Sequence, residues 1–582
     1  MYDTLPTILL DSCRADRFSG SWRFFGHVST LCAMTPEAVE AVLTGAEAAT
    51  GQGLYAAGFV AYEAASALNP HLPALPPRPG LPLAWFALFR ERQAVSSGEG
   101  LPEPGGGAPE LSPLLGQAEH ALAVQRIHEA IAKGESYQIN QTFPLQGRFD
   151  GEPQQLYRQL LQSQRPAFGA YIDTGSHTII SASPELFFEL KDGIVVTRPM
   201  KGTAPRGRFP EEDSRMAFEL CRSTKERAEN LMIVDLLRND LGQVAQTGTV
   251  RTDLLFEVES YPTVHQMTST ITARLREDCG LTDLFRALFP CGSVTGAPKR
   301  RSMEIIAGLE QQPRGIYCGA IGHLAPGNEA VFSVAIRTLL LEQGSGSISM
   351  GVGSGITWDA QPSAEYAECL VKAAFLSSRA VPRLLESLLL EKGGYPLLER
   401  HLDRLCWSAS RLGYRYDRKA AETALLRYGA ELDGQHKVRL LLAIDGSIHI
   451  ESTPITALRQ PLRLALASKP VDPADPWLYL KTEQRERYEA ARREHPDADE
   501  VLLINNRGEL TEGSFTNLVL NLGGRLVTPP LACGLLPGVM REEQLARGNI
   551  TEQVLYPHDL EQAREIWLIN AVRGRLRGEL IE

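Results

Sequence analysis

The sequence predicts a mixed α/β (α+β) protein in which an antiparallel-sheet domain is followed by a separate α/β domain. Three observations favour this architecture: a length of 582 residues, two β-hairpin patterns in the first part of the chain, and a Val-Pro-Arg break at 381–383. We therefore expect a first domain at 1–378, a linker at 379–383 and a second domain at 384–582.

The composition is that of an ordinary soluble protein, with 43% hydrophobic and 22% charged residues and a formal net charge of −11. A mildly acidic chain without a basic stripe argues against nucleic-acid binding, and no apolar run reaches the roughly 18 residues of a membrane span. The nine cysteines form no CxxC pair, which argues against a zinc site or a disulfide framework, and the N-terminus lacks a signal-peptide pattern. We expect a cytoplasmic protein that binds neither nucleic acid nor membranes.

Local patterns mark the first elements. Glycine, proline and serine are frequent at 96–117, which predicts a long surface loop. Apolar residues at helical spacing follow, and they predict a helix over 118–133.

The first hairpin pattern joins Leu186–Leu190 to Ile194–Thr197. A three-residue loop with Gly193 in the left-handed conformation brings Glu185 to the open end of this hairpin. Lys201 then lies on the same face as Glu185, one diagonal away. A two-residue loop would instead put Glu185 and Lys201 on opposite faces.

The second hairpin pattern and the β pattern after it lie at 315–324, 330–340 and 347–358. Centring the turn on Gly327 places Tyr317 directly opposite Arg337. Together these patterns predict an antiparallel meander.

Two Glu-x-x-Glu pairs have a spacing that puts both carboxylates of a pair on one helix face. Four carboxylates from two facing helices would suit Mg²⁺, which prefers oxygen ligands. The same spacing is common on solvated helix faces with local ion pairs, so spacing alone leaves both interpretations open. The four residues are Glu226, Glu229, Glu365 and Glu368.

A long series of ordered motifs resembles the chorismate-utilising enzymes, the family of anthranilate, aminodeoxychorismate and isochorismate synthases. The resemblance is strong over 120–378 and weak over 1–95. The motifs are Ser183-Pro184-Glu185-Leu186-Phe187, Pro199-Met200-Lys201-Gly202-Thr203, Lys225 to Gly242, His265, Gly292 to Lys299, Ala335-Ile336-Arg337-Thr338, and Gly353-Ser354-Gly355-Ile356 with Glu365 and Glu368.

The resemblance implies an antiparallel-sheet fold in which the four glutamates hold Mg²⁺, directly or through water. The ion would bind the ring carboxylate of chorismate. The other polar groups of chorismate would be held by Arg337, Tyr317, Ser293 and the amides of Gly353 and Gly355. His265 matches the family's active-site histidine, although a structural histidine is the alternative interpretation.

Two positions indicate which family member the chain is most similar to. Gln138 stands where isochorismate and salicylate synthases carry a lysine base that activates water, and glutamine cannot be that base. Lys201 stands where anthranilate synthases carry alanine, and Asn230 where they carry histidine. Both residues are typical of the members that aminate chorismate at C4.

In the mechanism proposed for those members, the Lys201 amine adds at C2 as the C4 hydroxyl leaves, and ammonia then attacks C4 and expels the lysine. Glu185 would be the acid and base that moves protons to the hydroxyl and from ammonia. A plain ion pair between Glu185 and Lys201 is the alternative. No cysteine lies on a Gly-x-Cys-x-Gly elbow, so we expect a separate glutaminase subunit to supply the ammonia.

The last 200 or so residues resemble the class IV fold of enzymes that depend on pyridoxal 5′-phosphate. This family includes branched-chain and D-amino-acid transaminases and aminodeoxychorismate lyase. The motifs are His401 to Leu405, Leu480-Lys481-Thr482, Leu510 to Asn517, Gly534 to Arg541, and Asn570 to Gly574.

The class IV resemblance implies that Lys481, presented from a strand, forms the Schiff base with the cofactor. Glu512 would face the pyridine nitrogen, and Arg404 would bind the phosphate with the amides of Gly538 and Val539.

The two resemblances together imply synthesis of 4-aminobenzoate. The first domain would make 4-amino-4-deoxychorismate, and the second would eliminate pyruvate from it. The alternatives are a second domain that is an aminotransferase, or one that serves only for docking or dimerisation. Class IV relatives also suggest a homodimer through the C-terminal domain.

Overall fold

The computed structural model describes residues 5–14, 18, 20–105, 107–377 and 382–581. Residues 379–381 of the predicted linker lie outside the described residues. Two compact units are present. The first comprises Met1–Ala204, Glu219–Glu259 and His265–Ala380, and the second comprises Pro205–Phe218, Ser260–Val264 and Val381–Glu582.

The strands of the first unit vary in length, and both tight turns and helical segments join them. They are β1 (Thr7–Asp11), β2 (Trp22–Ala33), β3 (Tyr55–Val60), β4 (Ala84–Ala94), β5 (Leu111–Pro113), β6 (Gln138–Arg148), β7 (Phe168–Asp173), β8 (His177–Ser183), β9 (Leu186–Lys191), β10 (Ile194–Arg198), β11 (Met200–Pro205), β12 (Arg251–Ser260), β13 (Val264–Arg274), β14 (Gly296–Ala297), β15 (Ala320–Ala325), β16 (Glu329–Val334), β17 (Thr338–Glu342) and β18 (Ser347–Ile356).

The helices of this part of the chain are α1 (Val39–Gly51), α2 (Ala65–Leu68), α3 (Gln117–Ala132), α4 (Pro153–Gln164), α5 (Pro210–Arg222), α6 (Thr224–Gly242), α7 (Leu281–Leu288), α8 (Lys299–Leu309) and α9 (Pro362–Ala373). The predicted helix over 118–133 is therefore confirmed as α3. The region 96–117 is irregular apart from β5, as the glycine and proline content predicts.

The strands of the first unit form one sheet whose ladders are antiparallel. Hydrogen-bonded neighbours follow the order β5, β6, β18, β17, β8, β7, β1, β2, β4, β3, β15, β16, β9, β10, β13. The predicted antiparallel fold class is confirmed. The predicted simple meander is wrong, because β16 pairs with β9 and β17 pairs with β8, so the second hairpin does not continue directly into β18.

The predicted loop of the first hairpin is wrong in length. Ile194 pairs with Lys191, which leaves a two-residue turn whose residues Asp192 and Gly193 both have positive φ. A bulge in β9 then shifts the register by one residue before Arg198 pairs with Leu186. After the bulge, the strands pair at the Glu185 end as they would with the predicted three-residue loop.

The core explains why β9 bulges. Phe187 and Phe188 are adjacent in sequence, yet both are buried in the same hydrophobic cluster, with ring centroids 5.1 Å apart. Phe285 packs edge-on against both of them. A regular strand would send adjacent side chains to opposite faces. The bulge lets both rings enter one core, and their burial stabilises it.

The second hairpin has the predicted register, since Ala325 pairs with Glu329 and Ala320 with Val334. The ladder ends there, however, and Tyr317 and Arg337 lie beyond it. The second strand is shorter than the predicted 330–340, because the backbone turns at Arg337, where φ is +51°.

The second unit contains a three-stranded antiparallel sheet and a larger mixed sheet. The strands are β19 (Leu384–Leu390), β20 (His436–Leu442), β21 (Ile448–Pro454), β22 (Leu462–Leu466), β23 (Glu500–Ile504), β24 (Leu510–Gly513), β25 (Asn517–Leu522), β26 (Arg525–Thr528), β27 (Thr551–Glu552), β28 (Ile566–Asn570) and β29 (Gly574–Leu580). The helices are α10 (Leu398–Leu412), α11 (Arg418–Gly429), α12 (Glu486–Glu494), α13 (Val539–Ala546) and α14 (Pro557–Gln562).

The order of pairing in the larger sheet forms a ring. The strands β24, β23, β22, β29, β28 and β25 pair in that order, and β25 pairs with β24 again through Asn517 and Glu512. The ring is lined by leucine, isoleucine and valine side chains, and both residues of the closing pair are buried. Closure therefore brings Glu512 and Asn517 side by side.

The second unit also includes the segments 205–218 and 260–264, which the sequence places within the first domain. Arg206 pairs with Asp213 at 2.7 Å and donates to the Tyr261 carbonyl oxygen, and the Arg208 guanidinium donates to the Tyr479 hydroxyl at 3.3 Å. These contacts explain why the unit is not one continuous stretch. Across the described residues, no helix has the length and apolar character needed to cross a membrane.

Candidate functional sites

Glu185 immediately precedes β9 and is 3% exposed. Burial raises the pKa of its carboxyl group to about 7, although the Ser293 hydroxyl, the Met200 amide and the charge of Lys201 act in the opposite direction. The bulge in β9 thus brings Glu185 within electrostatic reach of Lys201. At neutral pH this carboxyl group can both hold and release a proton.

Lys201 lies on β11 and points towards Gly355 on β18. A Cβ atom added to Gly355 would lie 2.7 Å from the Lys201 Nζ and 2.7 Å from the Gln138 Nε2. The Lys201 Nζ is 3.2 Å from a carboxylate oxygen of Glu229. Asn230 Nδ2 donates to the Lys201 carbonyl oxygen at 3.1 Å, so α6 fixes the backbone that carries the amine.

Gln138 is fully buried, and neither its amide oxygen nor its amide nitrogen has a hydrogen-bond partner among the described residues. A buried amide without partners is costly, by about 1–3 kcal/mol for each unmade bond. Its position beside Lys201 and Gly355 therefore indicates a place where a polar ligand would supply the missing bonds.

The four glutamates lie on two helices, Glu226 and Glu229 on α6, Glu365 and Glu368 on α9. Burial and then the neighbouring Glu229 raise the pKa of Glu226, so these two carboxylates are close. Glu368 pairs with Lys372 at 2.7 Å. Within the described residues, no three acidic, histidine or cysteine side chains form a group that could hold a metal ion.

The remaining predicted residues of the first site are buried or partly buried. Ser293 interacts with Glu185, and His265 is 1% exposed on β13. The Tyr317 ring packs on Gly351, where an added Cβ would come within 2.1 Å of it. Arg337 donates to Gln164 Oε1 at 3.5 Å. The Gly353 carbonyl oxygen accepts from Lys372 Nζ at 2.8 Å, a contact that joins α9 to β18.

Lys481 lies in the wall of a cavity of about 650 Å³ in the second unit. Burial, reinforced by the charge of Arg404, lowers the pKa of its amine to about 7, against the opposing effect of Glu386. Lys481 is not presented from a regular strand as predicted, because it follows a 3₁₀ turn at Pro476–Leu478 and its carbonyl oxygen accepts from the Leu385 amide. A neutral amine is the form that attacks a carbonyl group.

Glu512 faces the same cavity from β24 and is 4% exposed. The Tyr488 hydroxyl donates to its Oε1 at 2.9 Å, and Asn517 Nδ2 donates to its Oε2 at 3.3 Å. Burial raises the pKa of Glu512 to about 7. The two hydrogen bonds therefore fix the orientation of the Glu512 carboxyl group. With a pKa of about 7, this group can share a proton with a basic ring nitrogen.

Arg404 on α10 is anchored by a carboxylate that the sequence patterns did not single out. Its Nε and Nη2 donate to Glu386 at 2.9 and 2.6 Å, and its Nη1 donates to the Pro537 carbonyl oxygen at 2.8 Å. His401 Nδ1 lies 2.7 Å from Glu386. Burial alone would raise the pKa of Glu386, but Arg404 and His401 hold it at about 2.

Gly538 and Val539 begin α13, beside Arg404. A Cβ atom on Gly538 would lie 1.8 Å from the Asn517 Oδ1, so any side chain would displace the residue that holds Glu512. The first amides of a helix and a nearby arginine can together bind a phosphate group. All five predicted residues of the second site line the one cavity, namely Arg404, Lys481, Glu512, Gly538 and Val539.

Gly538→Ala is expected to lower the stability of the second unit by about 1–3 kcal/mol, because an inserted methyl group in a packed site strains its neighbours. The shift of the thermal unfolding transition measures this. Gly394→Ala is the matched control, since nothing lies within 4 Å of an added Cβ there. Equal transitions for the two variants would contradict the close packing of Gly538.

Three functional contacts were not predicted from the sequence. Glu386 is the one charged residue in the apolar strand Leu384–Leu390. Because a charged residue is rarely buried without a partner, its position predicts a paired carboxylate. Lys372 follows Glu368 by four residues on α9, and this spacing predicts an ion pair between them. Tyr488 gave no signal, because its contact with Glu512 depends on the packing of α12.

Comparison with known proteins gives two family matches. A model described as chorismate binding enzyme matches residues 7–378, and one described as amino-transferase class IV matches residues 383–580. The structure is similar to anthranilate synthase component I from Streptococcus pneumoniae TIGR4, with a TM-score of 0.55, 24% identity, and coverage of 63% of this chain and 93% of that chain. At this identity the likeness shows the fold alone.

The curated relatives match part of the first unit. Aminodeoxychorismate synthase component 1 from Escherichia coli (strain K12) is 45% identical over 248 residues, which are 43% of this chain and 54% of that protein. The protein of the same name from Klebsiella aerogenes is 43% identical over 258 residues, 44% of this chain and 57% of that protein. The matched region thus spans little more than half of these relatives. With the family match over 7–378, the chain belongs to the chorismate binding enzyme family, and it carries a class IV aminotransferase domain after it.

Proposed function

We propose that the chain converts chorismate and ammonia into 4-aminobenzoate in two reactions. The first unit would replace the C4 hydroxyl of chorismate by an amine, and the second would eliminate pyruvate from the product. The observation that carries the proposal is the convergence of Lys201 and Gln138 on Gly355, with Glu185 in reach of the lysine. The relatives named aminodeoxychorismate synthase component 1 support it.

In the first reaction Lys201 is the nucleophile. Its nitrogen bonds to C2 of the ring as the C4–oxygen bond breaks, and the hydroxyl leaves as water with a proton from Glu185. Ammonia then bonds to C4, the lysine–C2 bond breaks, and Glu185 takes back a proton. Gln138 supports this choice, because an amide cannot activate water for attack at C2.

The four glutamates have the oxygen donors that suit Mg²⁺, but no three of them are grouped around one point within the described residues. Carboxylate oxygens are the ligands that Mg²⁺ prefers. A cation beside Glu226 would offset the burial and the charge of Glu229 that raise the pKa of its carboxyl group. We propose that Glu226, Glu229, Glu365 and Glu368 hold the ion. When bound, it would neutralise the ring carboxylate of chorismate.

Glu185→Gln is expected to slow formation of 4-amino-4-deoxychorismate by roughly 10²–10⁴-fold, the usual contribution of a positioned acid or base. A carboxyl group with a pKa of about 7 is largely protonated below neutrality and loses its proton above it. The wild-type rate should therefore fall as the pH rises through about 7. The measurement is the rate against pH with ammonium as the nitrogen source, and a falling limb that persists in the glutamine variant would contradict the role.

The second unit has residues that fit pyridoxal 5′-phosphate: an amine with a lowered pKa, a buried carboxyl group, and an arginine beside a helix start. When bound, the cofactor supplies a sink for the electron pair released at C4. Lys481 would take the C4 proton, and Glu512 would hold a proton at the ring nitrogen. Arg404, with the Gly538 and Val539 amides, would bind the phosphate.

Ammonia would come from a separate glutaminase subunit, which we propose as a partner, together with a homodimer formed through the second unit. The proposed function is tested by incubating the chain with chorismate, ammonium, Mg²⁺ and pyridoxal 5′-phosphate, followed by chromatography. We expect 4-aminobenzoate and pyruvate. Accumulation of 4-amino-4-deoxychorismate alone would contradict the proposed lyase reaction. Formation of anthranilate would contradict the proposed role of Lys201.

A further inference from the structure

Glu500 is a buried charged residue to which the proposed chemistry gives no role. It lies on β23, the neighbour of the strand that carries Glu512, and it is 0% exposed. The turn at 513–516 lines the cavity around Lys481, but Glu500 is not among the described residues that line it. A buried carboxylate is costly unless other groups compensate its charge, so its contacts indicate its role.

The Glu500 carboxylate binds the turn that joins β24 to β25. Its Oε1 accepts from the Ser514 amide at 2.8 Å and from the Ser514 hydroxyl at 2.5 Å. Its Oε2 accepts from the Phe515 amide at 3.2 Å and from the Thr516 hydroxyl at 2.8 Å. These four hydrogen bonds hold three consecutive residues of the turn, and the charge of the acceptor strengthens each of them.

The turn has little freedom to move while Glu500 is in place. The Gly513 amide donates to the Thr516 carbonyl oxygen at 2.8 Å, which closes the turn. A Cβ atom on Gly513 would lie 2.8 Å from the Glu500 Oε2 and closer still to the Thr516 Oγ1. The carboxylate and the turn are therefore packed directly against each other.

Glu512 and Asn517 lie at the two ends of this turn. They pair across the ladder between β24 and β25, and Asn517 Nδ2 donates to Glu512 Oε2 at 3.3 Å. A displacement of the turn would move both residues and change the direction of the Glu512 carboxyl group. Glu500 therefore acts on Glu512 through the backbone of the turn.

We propose that Glu500 is a positioning residue, which holds the turn at 513–516 so that Glu512 points to the ring nitrogen of the cofactor. The inference rests on the proposed function of the second unit, in which Glu512 keeps that nitrogen protonated. A proton there is a positive charge, and it lowers the pKa of the nitrogen through which the cofactor is attached to Lys481. Misplacement of Glu512 should therefore change the spectrum of the bound cofactor as well as the rate.

Glu500→Gln changes the chemistry of the contact with almost no change in size. A glutamine side chain has one accepting oxygen and one NH₂ group, which only donates. One of the two backbone amides, that of Ser514 or that of Phe515, would then face a donor instead of an acceptor. The turn is expected to shift, because a buried amide without a partner is costly.

The test uses the full chain loaded with pyridoxal 5′-phosphate. In Glu500→Gln, the pH at which the visible absorbance of the bound cofactor titrates is expected to rise by roughly one unit. The kcat for pyruvate release from supplied 4-amino-4-deoxychorismate should fall roughly ten- to a hundredfold, with KM within about threefold of the wild type. Thr516→Val keeps the shape but removes one hydrogen bond to Glu500, and it should show the same changes at smaller size.

Val527→Ala is the control for a loss of stability alone. Val527 lies on β26 and is buried in the main hydrophobic cluster of the larger sheet. This variant should unfold at a lower temperature than the wild type, with unchanged titration and kcat.

The positioning role would be overturned if Glu500→Gln and Thr516→Val keep the wild-type titration and kcat, or if Val527→Ala changes both equally. The proposed reaction would then still stand. If Glu500→Gln does not fold, Thr516→Val decides alone. A wild-type protein without the cofactor band would overturn the proposed function of the unit, and the positioning role with it.

Discussion

Lys201→Met is expected to stop formation of 4-amino-4-deoxychorismate, with a loss of at least roughly 10³-fold, because it removes the proposed nucleophile and keeps the length of the side chain. The Lys201 Nζ lies beside Gly355, where the neighbouring side-chain atoms belong to the amide group of Gln138. The measurement is the rate of chorismate consumption with saturating ammonium and Mg²⁺.

Two further observations separate loss of the nucleophile from loss of the fold. The variant should unfold at the wild-type temperature within a few degrees, since Lys201 is bonded to α6 through its backbone oxygen, which the substitution retains. Supplied 4-amino-4-deoxychorismate should still be converted by the second unit. Lys191→Met, on an exposed hairpin end, is the control. Normal activity of Lys201→Met would exclude covalent catalysis by this residue.

Lys481→Ala is expected to abolish pyruvate release and to remove the visible absorbance of lysine-bound pyridoxal 5′-phosphate. The first unit should continue, so that 4-amino-4-deoxychorismate accumulates instead of 4-aminobenzoate. The expected loss is again at least roughly 10³-fold, because in the proposed reaction Lys481 is both the attachment point and the group that takes the C4 proton. Chromatography of the products and the absorbance spectrum measure the two effects.

The pH dependence of the wild-type spectrum gives an independent check on Lys481. Its pKa of about 7 means that the free amine is mostly neutral above that pH and mostly charged below it. Attachment of the cofactor should therefore become faster as the pH rises from 6 to 8. A variant Lys469→Ala, at a well exposed position, should behave as the wild type. A spectrum that survives in Lys481→Ala would refute the assignment.

Much of the candidate sites could be predicted from the sequence, because their residues lie in motifs whose chemistry is local. The Glu512 motif and the glycines at 353 and 355 are examples. The position of Lys481 was less predictable. Lys481 is presented by an irregular segment, because its carbonyl oxygen bonds to β19, which lies about a hundred residues earlier in the chain.

The two glutamate pairs show what helical spacing alone cannot predict about a metal site. Spacing alone places Glu365 and Glu368 on one face of α9, which agrees with the helix observed. Whether α6 and α9 present their carboxylates to one ion depends on the contacts that each side chain makes. Lys372 pairs with Glu368 four residues earlier on α9, as helical spacing predicts. Lys201 pairs with Glu229 across distant segments, and helical periodicity cannot predict that contact.

The sequence by itself determined the family of the first domain and the antiparallel fold class, and it predicted the residues that we propose carry the chemistry. The tertiary structure decided the geometry that relates them. A bulge in β9, stabilised by the joint burial of Phe187 and Phe188, brings Glu185 into reach of Lys201 despite a two-residue turn. The reason is that register depends on packing against the core, where burial of two aromatic rings outweighs the regular pairing that a local pattern predicts.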